Sequence, residues 1–131
     1  MILTNGKASG QYVDSGTDNL GRWTFQTLTC KGAQKITLIS AYQVCEQSIV
    51  TNSRIKTLTA TAQQVSILRQ QGRYDTTPRE AFVKDLTKFI HKKREEGSGI
   101  LLMGDFNEAL DVTYDGMTKM CSKLGLEDIM F

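Results

Sequence analysis

The feature that most constrains the fold of this 131-residue sequence is the run at residues 100–107, which reads ILLMGDFN. Four large apolar residues that follow a helix-like segment are typical of a short buried strand. Gly104 allows the backbone to turn or to approach a ligand closely, and Asp105 and Asn107 follow at the carboxyl end of the strand. Because α/β sheets place their ligands beyond the carboxyl ends of their strands, the run predicts an α/β fold with a polar site at that edge.

Two further strands are expected earlier in the chain. Residues 22–30 alternate aromatic or β-branched residues with polar ones, and residues 35–42 are rich in β-branched and aliphatic residues. A turn at residues 31–34 would join them into an antiparallel hairpin. Residues 1–20 are rich in Gly, Ser, Asn and Asp, which favour turns, so a loop-rich start with a short strand near residues 11–13 is predicted.

Three helices are predicted from the spacing of apolar residues and from residues that typically begin or end a helix. Apolar residues recur every three or four positions in residues 52–71, which indicates an amphipathic helix. The second helix begins at residues 77–80, where Thr-Pro-Arg-Glu combines an N-cap, a proline at the first helical position and a glutamate at the third. It ends before the Gly-Ser-Gly at residues 97–99. A short third helix is predicted over residues 117–124, closed by a glycine, and residues 126–131 are typical of the approach to another strand.

The composition points to a globular domain and excludes several protein classes. Hydrophobic residues make up 40% of the chain, so extensive disorder is not expected, and the length fits one modest domain over residues 1–131. The 16 basic and 14 acidic residues give a net charge of +2, without the broad basic footprint of a dedicated nucleic-acid binder. The cysteines have no zinc-site spacing, and no signal peptide or membrane-spanning run is present. An intracellular protein that does not enter a membrane is therefore expected.

Several conspicuous residues are interpreted as structural. Lys92, Lys93 and Arg94 fall in the last turns of the second helix, where the helix dipole favours cations, and they are expected to be solvated. Trp23 is expected in the core. His91 lies near the same helix end and is expected to be a surface side chain.

Asp105, Asn107 and Tyr42 are the candidate site residues. Asp105 can accept a proton from a water molecule or bind a cation, and Asn107 can hold a phosphoryl oxygen through its amide nitrogen or offer its carbonyl oxygen to Mg²⁺. Tyr42 ends the strand at residues 35–42, so its phenol can donate to a phosphate there. Two plainer interpretations stay open: a strand-to-loop junction, where Asp and Asn are common, and an aromatic residue packed at the end of a sheet.

The order of these segments resembles the endonuclease/exonuclease/phosphatase superfamily. The resemblance rests on a strand ending in tyrosine at residues 38–42, a helix at residues 79–90, and an apolar strand ending in Gly-Asp-x-Asn at residues 100–107. It implies a partial four-layer α/β sandwich, with mixed sheets flanked by helices, and metal-dependent phosphodiester hydrolysis with Mg²⁺ or Mn²⁺. Within the superfamily the sequence is similar to the endonuclease domains of retrotransposons, which implies DNA as the substrate and is compatible with a nuclear location.

The resemblance also implies a role for each candidate residue. Asp105 corresponds to the aspartate that orients or deprotonates the attacking water, Asn107 to the asparagine at the scissile phosphate, and Tyr42 to the tyrosine at the phosphate. Asp105 and Asn107 are implied as metal ligands too, since both residues bind a second metal in some members.

Part of the family's site has no counterpart in this chain. The family fold needs about 200 to 250 residues, and its metal-binding glutamate and its paired aspartate and histidine are unmatched. His91 precedes the Gly-Asp-x-Asn motif, so chain order excludes it as that histidine. The chain is therefore expected to be a partial domain, truncated at both ends, that lacks the principal metal ligand. The alternatives are a catalytically inactive remnant or interaction module of the same fold, and an unrelated α/β domain with a chance match.

Overall fold

The computed structural model describes three stretches of the chain: residues 1–45, 59–108 and 116–129. The chain divides into two compact units. The sheet unit comprises Met1–Tyr42 and Lys88–Asp105, and the helical unit comprises Gln43–Thr87 and Phe106–Phe131.

The sheet unit contains a mixed sheet, which has four strands in the described part of the chain, in the order β1-β2-β3-β4. Its strands are β1 (Tyr12–Thr17), β2 (Trp23–Thr29), β3 (Lys35–Tyr42) and β4 (Ser98–Asp105). β1 and β2 pair antiparallel, as do β2 and β3, whereas β3 and β4 pair in parallel. The predicted hairpin is confirmed. β4 extends at both ends beyond the four apolar residues 100–103 from which a strand was predicted.

Three α-helices lie in the described residues: α1 (Ala60–Gln70), α2 (Pro78–Glu95) and α3 (Met117–Leu124). Together with the mixed sheet they confirm the α/β class. Short 3-10 helices lie at Gly6–Gln11 and Lys31–Ala33. Residues 1–20 were expected to be rich in loops, but the first of these 3-10 helices and β1 occupy much of that range. β1 is longer than expected because it continues to pair with β2 as far as Thr17.

The start of α2 and the end of α3 follow the signals predicted from the sequence. At the start of α2, the Glu80 backbone N–H donates to Thr77 Oγ1 at 3.2 Å and the Thr77 N–H donates to Glu80 Oε2 at 3.0 Å. These two bonds satisfy backbone donors that the first helical turn leaves unpaired. Gly125 ends α3 in the left-handed conformation, with φ +58°.

Two boundaries differ from the sequence prediction. The described part of the first helix begins at Ala60, and residues 52–58 of its predicted range lie outside the described residues. Residues 126–129 form no regular strand, while 130 and 131 lie outside the described residues. An apolar pattern alone cannot form a strand, because a strand also needs a neighbour to accept its backbone hydrogen bonds.

The core of the sheet unit lies between one face of the sheet and the second half of α2. The Phe89 ring packs 6.0 Å from that of Trp23 and 4.8 Å from that of Phe25, measured between centroids. On β3, the alternate residues Ile39 and Ala41 are buried, as the two-residue period of a strand requires. Trp23 is 5% exposed, which confirms its predicted place in the core.

A chain of buried hydroxyl groups crosses three strands within this core. Thr27 Oγ1 lies 2.9 Å from Thr37 Oγ1, which lies 2.7 Å from Ser98 Oγ. Because a buried hydroxyl group is costly unless it is hydrogen-bonded, a shifted strand register would leave these groups unpaired. The chain of hydroxyls therefore favours the observed register of β2, β3 and β4.

Lys93 corrects the expectation that the basic end of α2 is solvated. Its side chain is only 4% exposed, and Nζ lies 2.9 Å from Glu96 Oε2 and 3.1 Å from Asp14 Oδ2. Nζ also lies 4.6 Å from the centroid of the Phe25 ring, a favourable cation–π contact. Lys93 follows Phe89 by four residues and so shares the helix face that covers the sheet.

We expect Lys93 to make stability depend on pH in the alkaline range. Burial lowers its pKa, but the hydrogen bonds to Glu96 and Asp14 outweigh burial and raise the pKa above the usual 10.5. The stabilisation is complete below the unfolded-state pKa and is lost as pH rises through the folded-state pKa. Urea unfolding of Lys93→Met should therefore show a smaller loss of stability than wild type as pH rises above about 10. At neutral pH the cost should stay below about 1 kcal/mol, because both carboxylates are half exposed and can rehydrate.

The matched control is the exposed neighbour Lys92. Lys92→Met should retain the alkaline loss seen in wild type. Equal pH dependence in all three proteins would show that the ion pairs of Lys93 contribute nothing to it.

Candidate functional site

Tyr42 and Asp105 are brought together at one edge of the sheet unit. They are register partners in the last residues of β3 and β4, and these strands run parallel, so both lie at a carboxyl end. Tyr42 is 44% exposed and Asp105 is exposed. The Tyr42 N–H donates to the carbonyl oxygen of Arg22 at 2.8 Å, which ties the end of β3 to the start of β2. A tyrosine and an aspartate, both exposed, are therefore neighbours at this edge.

Gly104 explains how β4 comes close enough to β3 at this edge. Its φ is +154°, and a Cβ there would overlap the carbonyl oxygen of Ala41 and lie 2.7 Å from its carbonyl carbon. Of the two roles expected for this glycine, the structure shows a close backbone approach, and the neighbour is strand β3. The residue before Asp105 must therefore be glycine for the parallel pair to keep its register up to the site.

Asn107 is held within the helical unit by its own contacts. Its φ is +48°, in the left-handed region that Asn tolerates better than most residues. Its Nδ2 donates to the carbonyl oxygen of Gln43 at 2.7 Å. Because a carbonyl oxygen only accepts hydrogen bonds, the nitrogen end of the amide faces Gln43 and Oδ1 lies on the other side of the group. The bond to Gln43 therefore fixes the orientation of the Asn107 amide within the helical unit.

Three residues around Asn107 were not identified as site residues from the sequence. Arg79, in the first turn of α2, donates from one guanidinium nitrogen to the Val44 carbonyl oxygen at 2.8 Å and to the Asn107 carbonyl oxygen at 3.4 Å. Its other terminal nitrogen donates to Glu108 Oε2 at 3.1 Å. Gln43 is 1% exposed and supplies the carbonyl oxygen that binds the Asn107 amide. Arg79 did fall in the helix of the family resemblance, but no local pattern gave it a partner.

The cysteines and His91 do not extend the site. Cys30, Cys45 and Cys121 are free thiols. Burial, together with the negative charges of Glu108 and Asp128, raises the pKa of Cys121, so this thiol is a poor nucleophile. His91 is exposed on α2, as expected from its position.

The described part of the chain contains no cluster of side chains that could bind a cation. A hard divalent cation prefers several oxygen ligands. No group of three or more His, Cys, Asp or Glu side chains that could hold a metal ion occurs among residues 1–45, 59–108 and 116–129. Asp105 offers a carboxylate of the right kind, but the described side chains do not complete a cation site around it.

Comparison with known proteins gives no relative for this chain. No protein-family model, curated protein or solved structure matches it. Within the described residues, no helix combines the length and the apolar character that crossing a membrane requires.

Proposed function

We propose that this chain carries part of the active site of a metal-dependent phosphoesterase of the endonuclease/exonuclease/phosphatase type. The observation that carries the proposal is the pairing of Tyr42 with Asp105 at the carboxyl ends of two parallel strands. The Gly-Asp-x-Asn motif supports it, because its glycine allows the close approach that sets Asp105 beside Tyr42.

The proposed chemistry is hydrolysis of a phosphodiester by in-line attack of water. As the water bonds to phosphorus, the bond from phosphorus to the leaving oxygen breaks, and that oxygen takes up a proton from solvent. Asp105 orients that water and accepts its proton, and the Tyr42 phenol donates a hydrogen bond to a phosphoryl oxygen. The sequence resemblance further assigns Asn107 to the scissile phosphate or, through its amide oxygen, to the cation. Mg²⁺ or Mn²⁺ is the cofactor expected for the intact domain, where it offsets charge on the phosphate. Further ligands beyond the described residues are then required.

The narrower parts of the proposal concern the fold, the substrate and the location. The mixed sheet would be one sheet of a four-layer sandwich, the substrate would be DNA, and the activity that of a retroelement endonuclease, with a nuclear location. These points rest on the sequence resemblance. The near balance of 16 basic and 14 acidic residues means that DNA contacts would come from a local surface of the chain.

A second candidate is a catalytically inactive remnant or interaction module of the same fold. The observation that favours it is the incomplete set of cation ligands in the described part of the chain. Such a module would keep the fold and could retain a phosphate contact at Tyr42 without turnover.

Mn²⁺ titration of the full chain tests the proposed site. Because Mn²⁺ broadens the NMR signals of nearby protons, the amides of Tyr42 and Asp105 should broaden at lower Mn²⁺ concentration than amides elsewhere. Asp105→Asn should abolish this selectivity, since an amide binds a divalent cation less well than a carboxylate. Asp75→Asn removes another exposed carboxylate, in the connection between α1 and α2, and should leave the selectivity unchanged. Selective broadening at Tyr42 that persists in Asp105→Asn would refute the site.

Addition of DNA distinguishes the two candidate functions. In the presence of Mg²⁺, a short duplex with an abasic-site analogue should shift the amide signals of Tyr42, Asp105 and Asn107 if the site binds phosphodiesters. The isolated chain should nick plasmid DNA no more than Asp105→Asn, because its ligand set is incomplete. DNA-induced shifts that do not need the cation would favour the interaction module.

A further inference from the structure

We propose that Arg79 is the positioning residue of this site and that, paired with Glu108, it holds the Asn107 backbone against the segment that contains Gln43 and Val44. This inference rests on the proposed function for its catalytic meaning. Its physical content, that Arg79 sets the conformation of Asn107, can be tested without a ligand. All the contacts that carry it lie within the helical unit.

The guanidinium of Arg79 joins two segments that are far apart in the sequence. It donates to the Val44 carbonyl oxygen, just after β3, and to the Asn107 carbonyl oxygen, just after β4. The Asn107 side chain then bonds to Gln43, the residue before Val44. The segments that leave the two strands are thus joined twice, once through Arg79 and once through the amide of Asn107.

Glu108 completes the arrangement by binding the charge of Arg79 and the start of α3. Its Oε2 accepts from Arg79 at 3.1 Å, and its Oε1 accepts from the Met117 N–H at 3.2 Å. Gly116 lets the carboxylate approach so closely, because a Cβ there would lie 2.7 Å from Glu108 Oε1. A carboxylate also interacts favourably with the dipole at a helix N-terminus, so Glu108 is held from both sides.

Burial and geometry distinguish Arg79 from a phosphate ligand. The side chains of Arg79 and Glu108 are 22% and 16% exposed, so their charge-assisted bonds are only partly screened by solvent. Both terminal nitrogens of the guanidinium donate to protein oxygens. An ammonium group is a point charge and cannot reproduce this planar fork. The structure therefore assigns Arg79 to the shaping of the loop that carries Asn107.

The test is Arg79→Lys in the full chain, with Arg73→Lys as the matched control. Arg73 lies in the same unit and makes a comparable ion pair with Asp85, at 2.7 Å and with side chains 28% and 22% exposed. Arg79→Lys should raise the solvent-exchange rate of the Asn107 side-chain NH₂ about tenfold or more, since it loosens bonds that a charged donor strengthens. Arg73→Lys should leave that rate unchanged. Glu108→Gln is the milder second variant if Arg79→Lys does not fold, and it should raise the rate in the same direction.

The outcomes separate this inference from the proposed function. An unchanged Asn107 exchange rate in both Arg79→Lys and Glu108→Gln would overturn it, as would an equal increase in Arg73→Lys. If the inference holds and the site binds a cation, Arg79→Lys should also weaken Mn²⁺ broadening at Asn107 while sparing Tyr42. If wild type shows no selective Mn²⁺ broadening at all, the proposed function fails, whereas the exchange rates still decide whether Arg79 positions Asn107.

Discussion

Gly104→Ala is expected to destabilise the protein by roughly 3 to 5 kcal/mol. The new Cβ would overlap the carbonyl oxygen of Ala41, and that oxygen belongs to the backbone of β3, which cannot move without breaking the parallel pair. The φ of +154° adds strain for any residue with a side chain. Natural domains are stable by only about 5 to 15 kcal/mol, so a large part of the native stability should be lost. Urea unfolding followed by circular dichroism measures the effect.

Gly99→Ala is the matched control on the same strand. Its added Cβ would meet only the Lys35 carbonyl oxygen at 3.7 Å, an ordinary contact distance. We expect a change within about 1 kcal/mol. If the two variants lost equal stability, the close approach at Gly104 would not be the cause, and the account of how β4 reaches the site would be wrong.

Phe82→Ala should cost roughly 3 to 5 kcal/mol, as truncation of a buried phenylalanine does. Phe82 lies on α2, is 1% exposed and packs against the ring of Phe106, with centroids 6.4 Å apart. Phe106 is the third residue of the Gly-Asp-Phe-Asn motif, so the cavity would lie beneath the loop that carries Asn107. Urea midpoints should fall, and the amide signals of residues 106–108 should change along with those of α2.

Tyr74→Ala provides the comparison for Phe82. Tyr74 is an aromatic residue of the same unit that is 71% exposed, so its loss should change stability by no more than about 0.5 kcal/mol. If Phe82→Ala cost little stability, the surrounding side chains would have to fill the cavity. The position of Phe106 would then not depend on the Phe82 ring.

The sequence was informative wherever a local pattern determines structure. The bounds of β3 and α3 match their predicted ranges, and the capping box at Thr77 and Glu80 forms as predicted. The register sets Tyr42 opposite Asp105 at the carboxyl edge where the sequence predicted a polar site. These features depend on residues a few positions apart, or on the general rule that parallel strands share an edge.

The sequence was uninformative where partners are distant in the chain. Lys93 is buried because Phe25 and Asp14 lie on strands about 70 residues or more away, and periodicity does not show which helix face meets them. The partners of Arg79 are equally hard to predict, since its backbone acceptors lie 35 and 28 residues away. An arginine in the first turn of a helix gives no sign that it will bind carbonyl groups in two other segments.

The sequence by itself determined the α/β character, the hairpin, the ends of α2 and α3, and the three residues from which the chemistry is proposed. Tertiary structure alone decided that Gly104 serves the contact with β3, that the Asn107 amide turns its nitrogen to Gln43, and that Lys93 is buried. The physical reason is the range of the interactions. Backbone propensity, capping and side-chain alternation act over a few residues, whereas steric overlap, hydrogen-bond direction and burial depend on whichever atoms the folded chain brings near.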